Sequence, residues 1–110
     1  MTWASRVERP DGKTSPEELI AAAHASCYSI AFSNVLAKKD APPVRLEVEA
    51  VATFDADQLK ITSVDLNVRG EVPGMSDEEF EAAAHKADQG CPVSNALRNN
   101  VEIRLNTSLG

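Results

Sequence analysis

Two cysteines, Cys27 and Cys91, are the residues of this 110-residue chain best suited to covalent chemistry. A cysteine attacks other atoms as its thiolate, and a free thiol has a pKa of about 8.5. Cys27 lies among small and apolar residues, so burial would raise its pKa and no charged neighbour in the sequence would lower it. Cys27 therefore needs a cation from another part of the fold if it is to react as a nucleophile.

Cys91 has a different setting, because Gly90-Cys91-Pro92 is typical of the start of a helix. Free backbone amides and the helix dipole stabilise a thiolate there, so local electrostatics alone favour Cys91 as the nucleophile. The same stabilisation makes a good leaving group, which suits a resolving cysteine in a disulfide that is later reduced. A further interpretation is that both cysteines are small buried residues without chemistry, the commonest fate of a free cysteine.

A zinc site is a weaker interpretation of the same residues. His24 and Cys27 are one helical turn apart, and His85 and Cys91 add two more side chains of the types that bind zinc. The sequence contains no CxxC motif, and a predicted helix break separates His85 from Cys91. We therefore expect no metal and no other cofactor.

Signals in the segment 15–39 predict the helix that carries Cys27. Ser15 suits the N-cap and Pro16 the first helical position, and two acidic residues follow in the first turn, where the helix dipole favours them. The segment then continues to Lys39 without glycine or proline and is apolar nearly all round. Such a helix is expected to be buried centrally.

The other elements are predicted from periodicity and turns. Alternating apolar residues indicate two strands that pair as a hairpin, with Ile61 out of phase as in a bulge. Ser76 and Glu79 form a capping box, and Gly90 ends the helix that follows. The predicted elements are a strand at 2–8, a turn at 10–12, the long helix, strands at 44–54 and 59–72, helices at 76–88 and 91–97, and a strand at 101–105. This order predicts an α+β domain.

The composition excludes several classes of partner. A net charge of -6, with Lys and Arg scattered along the chain, argues against binding to nucleic acid or to an anionic membrane. The sequence has no run of about 18 apolar residues and no signal-peptide pattern at its start, so we expect a cytoplasmic protein. A chain of this length fits one domain, and a partner subunit would help it to bury enough surface.

Each cysteine lies in a motif: Cys27 ends SPEELIAAAHASC at 15–27, and Cys91 lies in GCPVS at 90–94. The segment EVPGMSDEEF lies between the two motifs. Together they resemble the paired signatures of the OsmC/Ohr family of organic hydroperoxide resistance proteins, in order and spacing and over nearly the whole chain. His24 makes the chain more similar to the OsmC branch, because Ohr proteins tend to have an aromatic residue at that place.

The resemblance implies roles for four residues. Cys27 is the peroxidatic cysteine and Cys91 the resolving one, Arg6 is the arginine that activates Cys27, and Glu17 holds that arginine. Arginine suits this role because its planar fork meets a carboxylate and a thiolate while staying charged. Without the resemblance, Glu17 is a first-turn residue that stabilises the helix dipole, and Arg6 is an exposed strand residue with which Arg9 competes.

The resemblance also implies a fold. We expect a long central helix packed on an antiparallel sheet, in an intertwined homodimer. The family usually carries further strands before the strand that bears Arg6, so residues 1–110 are expected to form a single OsmC-like domain without those first strands.

The activity that the resemblance implies is that of a thiol-dependent peroxidase. It reduces organic hydroperoxides to alcohols through a Cys27 sulfenic acid and a disulfide with Cys91, and a dithiol such as a lipoylated protein then reduces the disulfide. Tyr28, Phe32 and Met75 are expected to line the site for the organic part of the substrate. The alternative is a stress or binding protein of the same fold with little peroxidase turnover.

Overall fold

The computed structural model describes residues 15–110, and Arg6, the strand predicted at 2–8 and the turn predicted at 10–12 lie outside that part of the chain. Within it, the order of helices and strands agrees with the sequence prediction, with ends shifted by a few residues. The elements are α1 (Pro16–Lys38), β1 (Arg45–Asp55), β2 (Lys60–Glu71), α2 (Asp77–Gln89), α3 (Pro92–Leu97) and β3 (Glu102–Leu109).

Helix α1 begins and ends where its local signals predict. The hydroxyl of Ser15 accepts a hydrogen bond from the Glu18 backbone amide at 3.2 Å, and Pro16 takes the first helical position. The helix ends at Lys38, because Asp40 adopts the left-handed conformation with a φ of 56° and two prolines follow it. The prediction of one uninterrupted helix through Cys27 is confirmed.

Strands β1 and β2 form the predicted antiparallel hairpin, and the bulge lies next to Ile61. Thr53 pairs with Ser63 and Phe54 pairs with Ile61, so Thr62 is the extra residue that has no partner in the register. The bulge returns the apolar side chains of both strands to the same face of the sheet. The irregular position of Ile61 in the sequence pattern therefore had a structural cause.

The sheet is mixed, whereas the sequence analysis expected an antiparallel one. Strand β3 lies beside β2 and runs parallel to it, from the pair Ser63–Glu102 to the pair Gly70–Leu109. The helices in residues 72–101 carry the chain back to the end of the sheet at which β2 begins, so β3 enters in the same direction as β2. A crossover of a dozen or more residues is what a parallel pair requires.

The core lies between the inner face of this sheet and the helices α1 and α2. Three aromatic rings form its centre: Tyr28 and Phe32 meet edge to face with centroids 5.7 Å apart, and Phe32 and Phe80 lie 5.1 Å apart. The other buried apolar residues around them are Leu36, Leu66, Val68, Val72, Ala83, Ala84, Ala87 and Cys91. The core thus extends from the sheet to the cysteine at the end of α2.

Helix α1 is buried on one face only within a single chain, contrary to the expectation of central burial on all sides. Leu19 and Ile30 are 48% and 70% exposed on the opposite face. The residues of this exposed stripe recur every three or four positions, with one adjacent pair: Leu19, Ala22, Ala23, Ser26, Ile30, Ser33 and Ala37. By length and composition alone α1 is also long and apolar enough to cross a membrane, a test that core helices of soluble proteins pass as well.

Candidate active site

The thiols of Cys27 and Cys91 meet in the folded chain. Their sulfur atoms lie 3.4 Å apart, although 64 residues separate the two cysteines in the sequence, and both are free thiols. Cys27 lies in the middle of α1, and Cys91 lies at the corner between α2 and α3, residues 88–98, which we call the Cys91 corner. Because a disulfide bond is about 2.05 Å long, a movement of a little over 1 Å would join the two sulfur atoms.

The two thiols differ in their access to solvent. Cys27 is half-buried, whereas Cys91 is fully buried. The backbone of Cys91 is held on both sides: its amide donates to the carbonyl oxygen of Asp88, and its own carbonyl oxygen accepts from the amide of Asn95. A small molecule from solvent therefore reaches the sulfur of Cys27 before the buried sulfur of Cys91.

The start of α3 acts on Cys27. The pKa of the Cys27 thiol lies above its ordinary value: burial raises it most, the neighbouring Cys91 thiol raises it further, and a hydrogen bond from the backbone amide of Val93 only partly offsets these effects. Val93 lies in the first turn of α3, where backbone amides have no partner within the helix. Cys91 occupies the N-cap position, yet its side chain makes no capping hydrogen bond.

The sequence argument considered the amides of this helix start only for Cys91, whereas one of them acts on Cys27. The first turn of α3 packs against α1, so one of its free amides points to the cysteine across the contact. Among residues 15–110, no cation contributes to the shift of the Cys27 pKa. The requirement for a cation from elsewhere, which the sequence indicated, therefore stands for residues 15–110.

His24 makes a buried hydrogen bond and, within residues 15–110, belongs to no group of metal ligands. Its ring is fully buried, and its Nε2 atom lies 2.7 Å from the hydroxyl oxygen of Ser94. His85 lies on the exposed side of α2, 3.8 Å from a carboxylate oxygen of Glu81. Among residues 15–110, no three His, Cys, Asp or Glu side chains meet in an arrangement that could hold a metal ion.

Glu17 is not brought to Cys27 within one chain. It lies in the first turn of α1 and lines a surface hollow with Ile20, Phe54 and Ile61. The ten residues from Glu17 to Cys27 correspond to about 15 Å of helical rise. Arg6, the predicted partner of both residues, lies outside the described part of the chain, so its role stays a prediction.

The three residues expected to line the substrate have other positions. Tyr28 and Phe32 are fully buried, and the Tyr28 hydroxyl donates a hydrogen bond to the Ala84 carbonyl oxygen at 2.8 Å. Met75 packs on the core before the start of α2, about 20 Å of helix away from Cys91. Their role as substrate lining stays a prediction, and these positions lend it no support.

Sequence reasoning missed Val93 and Ser94, which contact Cys27 and His24. Both lie in the GCPVS motif, but nothing in their types marked them as functional. His24 was the residue that could have pointed to Ser94. It lies on the buried face of α1, three residues from Cys27. A buried imidazole requires a hydrogen-bond partner. A serine one turn into the second motif was a candidate for that partner.

The fold and the site together define a class of protein. It is an α+β domain in which two thiols meet between a long helix and a helix corner. The chain belongs to the OsmC family, because the sequence model of the OsmC-like proteins matches residues 9–106. The resemblance found in the two motifs is thereby confirmed.

Relatives of known sequence and structure agree with this assignment. The chain is 36% identical to the peroxiredoxin OsmC of Escherichia coli K12 over 92 residues, which are 82% of this chain and 64% of that protein. It is 34% identical to the organic hydroperoxide resistance protein OhrA of Bacillus subtilis over 108 residues, or 96% of this chain and 74% of that protein. The chain therefore spans less than two thirds of the length of the E. coli relative.

The fold is that of solved relatives. The crystal structure of an organic hydroperoxide resistance protein OsmC from Legionella pneumophila matches with a TM-score of 0.73 and 30% sequence identity. The match covers 88% of this chain and 71% of that one. The α+β fold with helices against a sheet is therefore shared with the OsmC/Ohr proteins.

Proposed function

We propose that this protein is a thiol-dependent peroxidase that reduces organic hydroperoxides to alcohols with Cys27 and Cys91. The observation that carries the proposal is the 3.4 Å contact between a half-buried and a fully buried thiol. This pairing puts an accessible attacking sulfur beside a protected second sulfur. Relatives named peroxiredoxin OsmC and organic hydroperoxide resistance protein OhrA support the same chemistry.

The reaction begins at Cys27. Its thiolate attacks one oxygen of the peroxide, the O–O bond breaks, and the alkoxide takes up a proton and leaves as the alcohol, so that Cys27 becomes a sulfenic acid. The Val93 amide partly offsets the rise in the Cys27 pKa that burial causes, but within residues 15–110 the pKa stays above its ordinary value. We assign the remaining charge stabilisation to Arg6, held by Glu17.

The second step closes the disulfide. The Cys91 sulfur attacks the Cys27 sulfenic sulfur, the S–O bond breaks, and water leaves. Cys91 needs little movement for this attack, because its sulfur already lies 3.4 Å from Cys27. An external dithiol, for which we propose a lipoylated protein, then reduces the disulfide and restores both thiols.

Apolar side chains beside Cys27 support an organic substrate. Ala31, one turn after Cys27 on α1, and Val93 in the first turn of α3 are both half-buried and lie outside the exposed stripe of α1. Each methylene that such a surface covers contributes about 0.8 kcal/mol, so a few of them favour an alkyl peroxide by one or two orders of magnitude. Cumene hydroperoxide is therefore expected to outcompete hydrogen peroxide.

Titration of the thiols tests the proposed function. One equivalent of cumene hydroperoxide should remove both thiols of each chain and leave an intramolecular disulfide, visible by mass spectrometry without reduction. Cys27→Ser should consume no peroxide, and Cys91→Ser should complete one turnover and carry a dimedone adduct on Cys27. Dimedone labelling of Cys91 in Cys27→Ser at the wild-type rate would reverse the two roles.

A slow and nonspecific loss of thiols would instead favour the alternative, a binding or stress protein with little turnover. Equal rate constants for cumene hydroperoxide and hydrogen peroxide would contradict the organic preference while leaving the peroxidase chemistry in place.

A further inference from the structure

A buried hydrogen bond joins the two elements that carry the cysteines. His24 and Ser94 are both fully buried, and the His24 Nε2 atom lies 2.7 Å from the Ser94 hydroxyl oxygen. His24 lies one turn before Cys27 on α1, and Ser94 lies three residues after Cys91 in the first turn of α3. The bond therefore connects the two chain segments about one helical turn from the sulfur atoms on each side.

The Cys91 corner is closed on itself by polar contacts. The Arg98 guanidinium donates to a carboxylate oxygen of Asp88 at 3.0 Å, to the Asp88 carbonyl oxygen at 3.1 Å and to the side-chain oxygen of Asn95 at 3.1 Å. The Asn95 side-chain amide in turn donates to the carbonyl oxygen of Gln89 at 3.1 Å. These bonds tie the end of α2 to the end of α3, so a contact that anchors α3 to α1 also restrains the position of Cys91.

His24 directs its hydrogen bonding to that corner. Its Nδ1 atom is buried and has no hydrogen-bond partner among residues 15–110, so Ser94 is the polar contact of the ring in that part of the chain. Breaking the bond would leave two buried polar groups unsatisfied, which costs more than the bond itself gains. The contact thus resists separation of the Cys91 corner from α1.

We propose that His24 and Ser94 are positioning residues that hold the Cys91 sulfur in reach of Cys27 and so set the rate and equilibrium of disulfide formation. The effective concentration of one reacting group beside another falls steeply when their geometry loosens. The contribution to peroxide turnover rests on the function proposed above, whereas the contribution to the thiol–disulfide equilibrium does not.

A glutathione equilibrium tests the proposal without peroxide. The protein dithiol reacts with oxidised glutathione to give the protein disulfide and two molecules of reduced glutathione, and the ratio at equilibrium reports the effective concentration of the thiols. His24→Phe keeps a ring of similar size without the hydrogen bond, and Ser94→Ala removes only the hydroxyl. Each should lower the effective concentration on the order of tenfold, and the double variant should lower it no further.

Matched controls separate this effect from general destabilisation. His85→Phe changes an exposed histidine of α2, and Ser29→Ala removes a serine whose hydroxyl donates to the Ala25 carbonyl oxygen within α1. Neither control should change the equilibrium by more than about twofold. His24→Gln, whose amide can still bond to Ser94, should restore part of the wild-type value.

Wild-type equilibria in both His24→Phe and Ser94→Ala, or additive losses in the double variant, would overturn the proposal. If His24→Phe does not fold, Ser94→Ala and His24→Gln still decide the outcome. A peroxide arm follows the sulfenic acid with dimedone: it should persist on the order of tenfold longer in Ser94→Ala, with an unchanged first attack on the peroxide. If cumene hydroperoxide oxidises neither thiol of the wild type, the proposed function fails while the glutathione result still judges the positioning role.

Discussion

At the scale of single residues, the backbone amide of Val93 at the start of α3 acts on Cys27. Gly90-Cys91-Pro92 marks a helix start, and a helix start stabilises a thiolate wherever its free amides point. In the folded chain the Val93 amide bonds to Cys27, which lies across the contact on α1. This amide favours a thiolate on the half-buried cysteine, but burial outweighs it and leaves the Cys27 pKa above its ordinary value, so the proposed attack on peroxide still needs the cation that we assign to Arg6.

His24 should make the stability of the protein depend on pH. Burial lowers the pKa of His24 from its ordinary value of 6.5, the Asp88 carboxylate on α2 raises it, and the Arg98 guanidinium after α3 lowers it. Below pH 6.5 the unfolded chain then binds a proton that the folded chain binds only at lower pH. The stabilisation is complete above pH 6.5 and declines as the pH falls below it, by up to about 1.4 kcal/mol per pH unit.

Urea unfolding of the wild type and of His24→Phe at about pH 7.5 and about pH 5.5 measures this effect. The free energy of unfolding of the wild type should fall more between these two values than that of His24→Phe, because phenylalanine cannot take up a proton. His85→Phe keeps the buried histidine and should behave as the wild type. Equal losses in all three proteins would exclude His24 as the source.

At the scale of elements, one close contact lies between α2 and β2. Gly70 of β2 faces the ring of Phe80, and a β-carbon at Gly70 would lie 2.5 Å from that ring. Phe80 is buried and also packs on Phe32 of α1, so the ring cannot move aside freely. Glycine at position 70 therefore allows α2, which leads into the Cys91 corner, to lie close to β2.

Gly70→Ala is expected to destabilise the protein by about 1–3 kcal/mol, because the added methyl group forces the Phe80 ring or the whole of α2 to shift. Gly90→Ala is the control, since its β-carbon would meet only ordinary contacts at 3.7 Å and beyond. That variant should stay within about 0.5 kcal/mol of the wild type. Chemical unfolding measures both, and similar losses in the two variants would contradict the role of the close contact.

At the scale of the whole molecule, the single chain is flat and leaves apolar surface open. Its extents are 46 × 29 × 18 Å and its radius of gyration is 15.1 Å, whereas a compact chain of this length has a radius of about 13 Å. The exposed stripe of α1 adds small and apolar residues to this open face. We propose that a second copy of the chain crosses on that stripe and covers it in a homodimer.

The same geometry predicts an active site shared between two subunits. Glu17 lies about 15 Å along α1 from the Cys27 of its own chain, so it cannot hold an arginine against that thiol. Two copies of α1 crossing antiparallel would bring Glu17 of one chain beside Cys27 of the other. We therefore expect Cys27 and Cys91 to come from one subunit, and Arg6 and Glu17 from its partner.

Subunit mixing tests whether the active site is shared between two subunits. Cys27→Ser and Arg6→Ala proteins, each inactive alone, should regain peroxidase activity when mixed and allowed to exchange, because each mixed dimer then has one intact site of two. Native mass spectrometry verifies the exchange. Exchange without any recovery of activity would show that each site lies within a single chain.

The sequence by itself determined the elements and the family. Caps and breaks act within a few residues, so Ser15, Pro16, Ser76 and Gly90 specified helix ends without reference to the rest of the chain. Strand alternation and the irregular Ile61 likewise predicted the hairpin and its bulge, because the side-chain period of a strand is local. The two cysteine motifs, read together, identified the OsmC family.

Only the tertiary structure decided how distant parts meet. The parallel pairing of β3 depends on the path of the chain through α2 and α3, and the 3.4 Å contact of the thiols depends on how the Cys91 corner packs against α1. The partners of Cys27 and His24, namely Val93 and Ser94, come from the same packing. Such contacts join residues more than 60 positions apart, and their energies depend on the shape of the whole core, which no local pattern in the sequence contains.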